Sequence, residues 1–561
     1  MSGEINFNRR TFLTGLGGLI TALSIPELAS PAEARQDPGA PSSSGRFGDI
    51  DENAMFDVCI IGSGFAGGVL GDALVKQGIK TVILESGPDP RGKTVDPRFQ
   101  QLNAFRSIGP IVYPVTSSRF RGLGGTSWLW GGICTRLHPR DFEKSTYSGG
   151  ASWPITYKDL QPFYRQAEAA LRVRGGGSSK YHPPRSEKYP LPADRDVSPL
   201  EAMVAKAGII LSDMPYSTSI SSKPSFFSDR FGPRVQMTDS HLPNFQKSSY
   251  GSLFSEVTVT RLLADESGLI RGAEVKDLDR NVKILRARVY VVACGGLESP
   301  RLLLLSRSSS FPTGIGNNHD LVGRFFTEHR PAVFIGQVTM DWRNFSYYAL
   351  KGFSYQFYEK FKNAGMGGMR LGFDLEGAVD RADFSTAEVG KILNRILNRR
   401  LEITVGSEMK PTFSNRVILD AEARDYFGNS QGNLFLKESE DEIKTLNAAK
   451  EIVRKVYADL GAKNVEELPR NVWAHHHMGT CRMGDDARTS VVDRNLQVHG
   501  TRNLFVGGSA PFVTSGTAHP TLSLTALSLR LAEYLRLQMQ SGGAFPTRYE
   551  NRREVLQRTR T

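Results

Sequence analysis

The sequence predicts an α/β protein: a Rossmann-like dinucleotide-binding domain built from discontinuous segments, with a substrate-binding α+β domain inserted into it. Three observations carry that expectation. Gly62-Ser63-Gly64-Phe65-Ala66-Gly67 sits between an apolar run of strand length and an amphipathic helical stretch. Strand-then-helix units recur near the start, the middle and the end of the chain. The stretch 331–470 lacks such units and is rich in aromatics and alternating patterns.

Taken in order, the first 34 residues read as an address. Asn8-Arg9-Arg10-Thr11-Phe12-Leu13 resembles a twin-arginine export signal, with Asn8 where Ser or Thr is usual. A weakly apolar stretch, Leu13 to Ile25, and the small-x-small site Ala32-Glu33-Ala34 follow. The stretch is too short and too interrupted by Gly and Thr for a membrane anchor. The expectation is export to the periplasm or beyond, and no transmembrane segment in the mature chain. Residues 35–54, rich in Pro, Ser, Gly and Asp, read as a mobile linker.

The dinucleotide-binding domain is expected over 55–330 and 471–540, with 151–244 partly on the substrate side. Its strands are Phe56 to Ile61, Thr81 to Glu85, Arg288 to Cys294 and Asn503 to Gly508, and a helix is expected from about Thr521 to Gln538. The substrate domain takes 331–470, and 541–561, with five Arg, reads as a solvated basic tail. A length of 561 residues suits two or three such units. The formal charge is +12, but Lys and Arg are dispersed without an arginine-rich helix or zinc-finger spacing, which argues against nucleic acid. Cys59, Cys294 and Cys481 lie in strand-like or site-like runs and are expected as buried free thiols.

The glycine motif has a physical reason at each position. Gly62 allows a tight turn, Gly64 lets backbone meet a pyrophosphate at the helix N-terminus, and Gly67 lets helix and strand pack closely. Glu85 falls where a carboxylate accepts ribose hydroxyls and repels a 2′-phosphate, which argues against NADP. The motif by itself does not separate NAD from FAD. A second glycine-rich run, Arg121 to Ser127 continuing to Trp130-Gly131-Gly132, lets main chain lie against a flat ring. The alternative is a surface glycine loop, which the interleaved Trp128 and Trp130 make less attractive.

His475-His476-His477 invites a metal reading, yet adjacent side chains diverge, and no H-x-x-x-H pair or carboxylate stands at ligand spacing. No metal is expected. The choices left are satisfied structural histidines or proton handling. A solitary second histidine, His519, favours the latter, because it lies between a strand and a helix where such sheets bind ligands.

Together these segments resemble the glucose–methanol–choline family of flavin oxidoreductases, over about 56 to 540. The likeness rests on Gly62 to Gly67 with Glu85, on Gly124-Gly125-Thr126-Ser127, and on Val291 to Gly296 with Glu298-Ser299-Pro300. Gly323 to His329 and His476-x-x-Gly479-Thr480-Cys481 complete it. Ser152-Trp153-Pro154-Ile155 with Asp159, Leu160 and Tyr164 is similar to a segment of the sugar-oxidising members. The resemblance implies FAD, held by the glycines with Ser63, Phe65, Ala66, Thr126, Ser127, Trp130, Ala293, Gly295, Gly507, Gly508 and Thr521. It places the catalytic histidine on His476 and the second site residue on His519. Some relatives attach FAD through a histidine where this chain has Leu129, so non-covalent FAD is expected. The implied reaction moves a hydride from an alcohol carbon to the flavin, with His476 as first choice of base and His519 orienting the hydroxyl, roles that can be shared. A sugar, glycoside or polyol is the expected substrate. A dehydrogenase passing electrons to a quinone, a haem protein or a partner subunit is preferred. An oxidase and a lyase with structural FAD are the rivals.

Overall fold

The computed structural model describes residues 44–92, 96–177, 179–194, 196–219, 234–339, 350–376, 398–470, 473–541 and 545. The export signal, residues 35–43 and nearly all of the basic tail lie outside the described residues.

Five parallel strands form the heart of the nucleotide-binding half. In spatial order they are Gly251–Phe254, Thr81–Leu84, Met55–Ile61, Val282–Val292 and Leu504–Val506. Two antiparallel strands, Ile270–Lys276 and Thr258–Ala264, continue from the first half of Val282–Val292. Val58, Cys59, Ile60, Val82 and Ile83 are wholly buried, as a parallel strand covered on both faces requires. The helices Phe65–Val75 and Pro520–Gln540 cover this sheet beside the capped helix Tyr157–Ala170.

A six-stranded antiparallel sheet forms the second half, in the order Lys463–Glu467, Ala332–Thr339, Asn398–Ser407, Met369–Leu375, Leu350–Ser354 and Ser212–Asp213. The helix Glu440–Asp459, started by a Ser439–Glu442 capping box, packs Leu446, Ala449, Val453 and Val456 on one face of that sheet. Ser212–Asp213 is the strand that 151–244 lends to this side.

Three sequence boundaries need correction. Residues 44–54 are docked, not a linker: Gly45 bridges to Phe254, Ile50 is buried, and Lys283 Nζ caps the Phe47, Gly48 and Ile50 carbonyls. The hairpin Arg416–Arg424 and Ser430–Phe435 falls within 331–470 but leaves the six-stranded sheet to pair with Phe105–Ser107. It is held by Arg301 of the helix Gly295–Leu305, which donates to the Ser430 carbonyl and pairs with Asp425 at 2.6 Å. Phe545 is buried against Phe505, so the start of the tail is not wholly solvated. All four cysteines are free, and Cys294 is only partly buried. Among the described residues no helix is long and apolar enough to cross a membrane.

Candidate active site

The loops after all five parallel strands help enclose a cavity of about 390 Å³, at the carboxyl edge where open α/β sheets take ligands. Gly62, Ser63, Gly64, Phe65, Ala66 and Glu85 line one end. Gly125, Thr126, Leu129, Trp130 and, from other segments, Ala293, Gly295, Gly508 and Thr521 line more of it, and His476 and His519 face it too. The structure therefore brings together fifteen of the nineteen residues singled out from sequence.

The other four lie behind the wall. A Cβ on Gly67 would overlap the Gly62 carbonyl oxygen, so this glycine serves helix–strand packing. Gly124, at φ +86°, donates its N–H to Ser63 Oγ at 3.0 Å. Ser127 Oγ donates to the Gly124 carbonyl at 2.7 Å and accepts from Met237 N–H, which braces the glycine loop from within. Gly507 backs onto Val291, Ala66 and Ala293.

The cavity fits a dinucleotide. Gly62 has φ +104°, and a Cβ there would stand 2.7 Å from the Ala293 oxygen. A Cβ on Gly125 would stand 3.0 Å from the Gly64 Cα. These glycines let backbone pack on backbone, which brings the main chain of Gly62, Gly64 and Gly125 to the cavity wall with no side chain in the way. Glu85 is buried at the end of Thr81–Leu84. Its Oε2 accepts from Ser63 N–H at 3.0 Å and Ser63 Oγ at 2.6 Å, and its Oε1 accepts from Gly87 N–H at 3.0 Å. Of about four acceptor positions on a carboxylate, that leaves room for one ribose hydroxyl.

At the other end the histidines form a cluster. The His476 ring centroid is 5.1 Å from that of His519 and 5.1 Å from that of His329. His329 Nδ1 and His476 Nδ1 are 2.9 Å apart, and His329 Nε2 is 3.0 Å from the Gly516 carbonyl oxygen. A carbonyl only accepts, so His329 carries its proton on Nε2. Burial pushes the His329 pKa down to about 4, so the ring is neutral and its Nδ1 is a bare acceptor. The proton in the 2.9 Å bond then belongs to His476 Nδ1. Burial also holds His476 neutral, well below the usual histidine range, which leaves its Nε2 as a lone pair. Among the described residues neither ring nitrogen of the buried His519 has a hydrogen-bond partner, and its main-chain N–H donates to Thr135 Oγ1.

Glu328 ties the histidine loop down. Its Oε1 accepts from His329 N–H at 2.7 Å and His476 N–H at 2.8 Å, and its Oε2 accepts from the Tyr113 hydroxyl at 2.6 Å. Burial raises its pKa to about 7. His477 Nε2 lies 2.8 Å from the Tyr113 oxygen, so His477 is committed to this brace. His475 stands at φ +61° and helps line the cavity. Sequence reasoning assigned no role to His329, Glu328 or Tyr113. Glu328-His329 stood inside a quoted motif, but no spacing rule links it to a histidine 147 positions away.

A nucleotide-cradling sheet edge facing a neutral histidine cluster defines an oxidoreductase of the dinucleotide-cofactor class. Family models described as GMC oxidoreductase match residues 112–331 and 411–528, and the chain belongs to that family of FAD-dependent enzymes acting on CH–OH groups. It is 26% identical to the fructose dehydrogenase large subunit of Gluconobacter japonicus, over 88% of this chain and 100% of that one. It is 28% identical to paromamine 6′-oxidase of Streptomyces fradiae, over 90% and 96%. The structure of a formate oxidase superposes with a TM-score of 0.61 at 18% identity, covering 88% of this chain and all of the other, a likeness of fold.

Proposed function

We propose that this chain is an exported dehydrogenase that oxidises a hydroxyl of a sugar, glycoside or polyol to a carbonyl, using non-covalent FAD. The observation that carries the reading is the Gly516–His329–His476 chain, which leaves a bare Nε2 facing the cavity beside His519. When bound, FAD supplies the acceptor for a hydride from the substrate carbon.

The protein's part is to hold the nucleotide and handle the hydroxyl proton. Gly62 to Ala66 and Glu85 would hold the adenosine and pyrophosphate, and Gly125, Thr126, Trp130 and Gly508 the ring. His476 Nε2 takes the hydroxyl proton as the C–H bond breaks and its electron pair departs as hydride, and the oxygen lone pair closes the carbonyl. One proton and one hydride both stay in the site, so no net charge is delivered to it. That suits a base whose burial disfavours a lone positive charge. His519, with two unpartnered ring nitrogens, orients the hydroxyl.

The substrate class and an acceptor other than O2 are supported by the fructose dehydrogenase relative, whose name includes a large subunit, which makes a partner subunit part of the reading. Export is supported by Asn8-Arg9-Arg10 and Ala32-Glu33-Ala34. An O2-using oxidase is the second reading, favoured by the paromamine 6′-oxidase relative.

The test is anaerobic bleaching of the holoenzyme with fructose, glucose, sorbitol, a methyl glycoside and a sterol, followed by admission of air. Bleaching by a sugar or polyol and slow re-oxidation in air are expected. His476→Ala should stay yellow yet bleach 10²- to 10⁴-fold more slowly, a range typical of a lost general base. His519→Asn should be milder. Fast re-oxidation supports the oxidase instead, and no bleaching by any alcohol supports a lyase.

A further inference from the structure

One face of the six-stranded sheet is core, and the other looks toward the histidines. Phe353 pairs with Gly372, and Arg370 with Gly406, so period-two alternation puts Phe353 and Arg370 on the same face. The Phe353 ring lies nearly parallel to that of His519, with centroids 6.3 Å apart and planes at 23°. The Arg370 guanidinium lies 3.8 Å from the Phe353 centroid. Arg370 is 4% exposed, and its Nε and Nη1 have no hydrogen-bond partner. Among the described residues no carboxylate lies at ion-pair distance from it.

Neighbouring buried cations are paired. Lys351 meets Asp374 at 2.8 Å, Lys362 meets Asp141 and Glu408 at 3.2 and 2.6 Å, and Arg136 meets Glu168 at 2.8 Å. Arg370 has instead the ring of Phe353, the phenols of Tyr355 and Tyr358 within electrostatic reach, and room made by Gly406, where a Cβ would come 3.2 Å from its Nη2.

Burial does not discharge a guanidinium at neutral pH, because its intrinsic pKa exceeds 12. An unpaired charge in a water-poor setting acts over a longer range than one in solvent. The groups facing His519 are His476 and His329 from the loops and Arg370 from the sheet. Those facing His329 are His476, Arg370, Glu328, which accepts from the His329 and His476 main-chain N–H groups and titrates at about 7, and Glu408, itself held by Lys362. Burial is the largest cause of the lowered pKa of His519, His329 and His476 alike; Arg370 adds to it at His519 and His329, and the neighbouring histidines add to it at His476.

We propose that Arg370 is a positioning residue that makes His476 the sole acceptor of the hydroxyl proton, by denying positive charge to His519 on one side and to His329 on the other. The proposal rests on the proton-transfer reading above. His519 then stays a neutral orienting group through the reaction. The proton taken by His476 Nε2 is not passed on through Nδ1 to His329.

The test is the pH profile of anaerobic flavin reduction by the holoenzyme, using whichever of fructose, glucose or sorbitol bleaches it fastest. Wild type and Arg370→Lys, which keeps the charge, should share one profile between pH 5.5 and 8, with the slope that Glu328 sets at about 7 common to both. In Arg370→Met the cation that adds to the burial penalty on His519 is gone, so His519 takes up positive charge more readily in mild acid, and a cation beside His476 opposes proton uptake. The ratio of the rate at pH 8 to that at pH 5.5 should rise about tenfold over wild type. Gly406→Asp offers the guanidinium a carboxylate without removing it and should open the same acid limb, so the test does not hang on one variant folding. Profiles in both Arg370→Met and Gly406→Asp that match wild type overturn the proposal, as does an acid limb beyond wild type equally present in Arg370→Lys. If His476→Ala reduces as fast as wild type, the proton-transfer reading itself has failed. A slow His476→Ala with Arg370→Met and Gly406→Asp profiles that match wild type removes only the role of Arg370.

Discussion

Replacing His329 tests whether a backbone carbonyl sets the reactive tautomer of His476. In His329→Ala the His476 Nδ1–H loses its acceptor and the Gly516 carbonyl loses its donor, both in buried surroundings. An orphaned buried polar group costs about 1–3 kcal/mol. The part that bears on rate is the preference for a proton on His476 Nδ1. Without His329 that proton can sit on Nε2, and the lone pair then points away from the substrate. A loss of about 1.4–2.8 kcal/mol of that preference corresponds to reduction about 10- to 100-fold slower. His329→Gln is the informative partner. A Gln amide oxygen can accept from His476 while its N–H donates to Gly516, so this variant should recover to within about tenfold of wild type. His329 is not part of the cavity wall, so FAD content should hold in both. The assay is rapid-mixing anaerobic flavin reduction at pH 7.5, normalised to bound flavin. Wild-type speed in His329→Ala refutes the tautomer argument, and so do equally slow Ala and Gln variants.

The nucleotide half was legible because its physics is local. Gly62, Gly64 and Gly67 sit within one strand–turn–helix, so their spacing already states the turn, the open backbone and the close packing later seen around them. His476 and His519 were legible only through family likeness, since nothing in His475-His476-His477 distinguishes the middle ring. What distinguishes it is Glu328, which anchors the loop by its backbone, and His329, which fixes a proton. Those contacts join segments far apart in the chain and leave no periodic trace. Ser127 misled for the opposite reason. Its neighbours face the cavity, but a 3-10 turn over Gly125–Trp128 points its hydroxyl back at Gly124. Residues 44–54 read as a linker because their composition is polar. Their docking combines main-chain carbonyls accepting from Lys283, to which composition is blind, with partners of Ser44, Arg46 and Glu52 that lie more than 200 positions away.

Two further outcomes are expected. Because Leu129 lines the cavity where some relatives carry an attachment histidine, acid precipitation should release all the flavin as free FAD, and flavin retained in the pellet would overturn that expectation. The second concerns acid. Burial holds His138, His182 and His329 each down at about 4, against 6.5 when exposed. Between those values the unfolded chain binds more protons than the folded one, so the stability these groups contribute is present above pH 6.5 and is lost as pH falls toward 4. At 1.36 kcal/mol per unit, each histidine accounts for about 3 kcal/mol across the window. Glu328, Glu442 and Asp213 work the other way, because burial raises the two glutamates to about 7 from 4.5 and the aspartate to about 6 from 3.8. Their folded forms bind the extra proton, so they favour the fold in acid and cease to do so as pH rises through about 6 to 7. The three carboxyls offset these three histidines over much of the window, and the net loss on the acid side comes from His475, His476, His477 and His519, which burial also holds down. The thermal midpoint of the holoenzyme should therefore fall from pH 6.5 to 4.5. Glu328→Gln, which removes one carboxyl that favours the fold in acid, should make the fall steeper. A midpoint that rises toward pH 4.5 would mean that the histidines are not held neutral in the folded protein, and the bare Nε2 assigned to His476 would lose its basis.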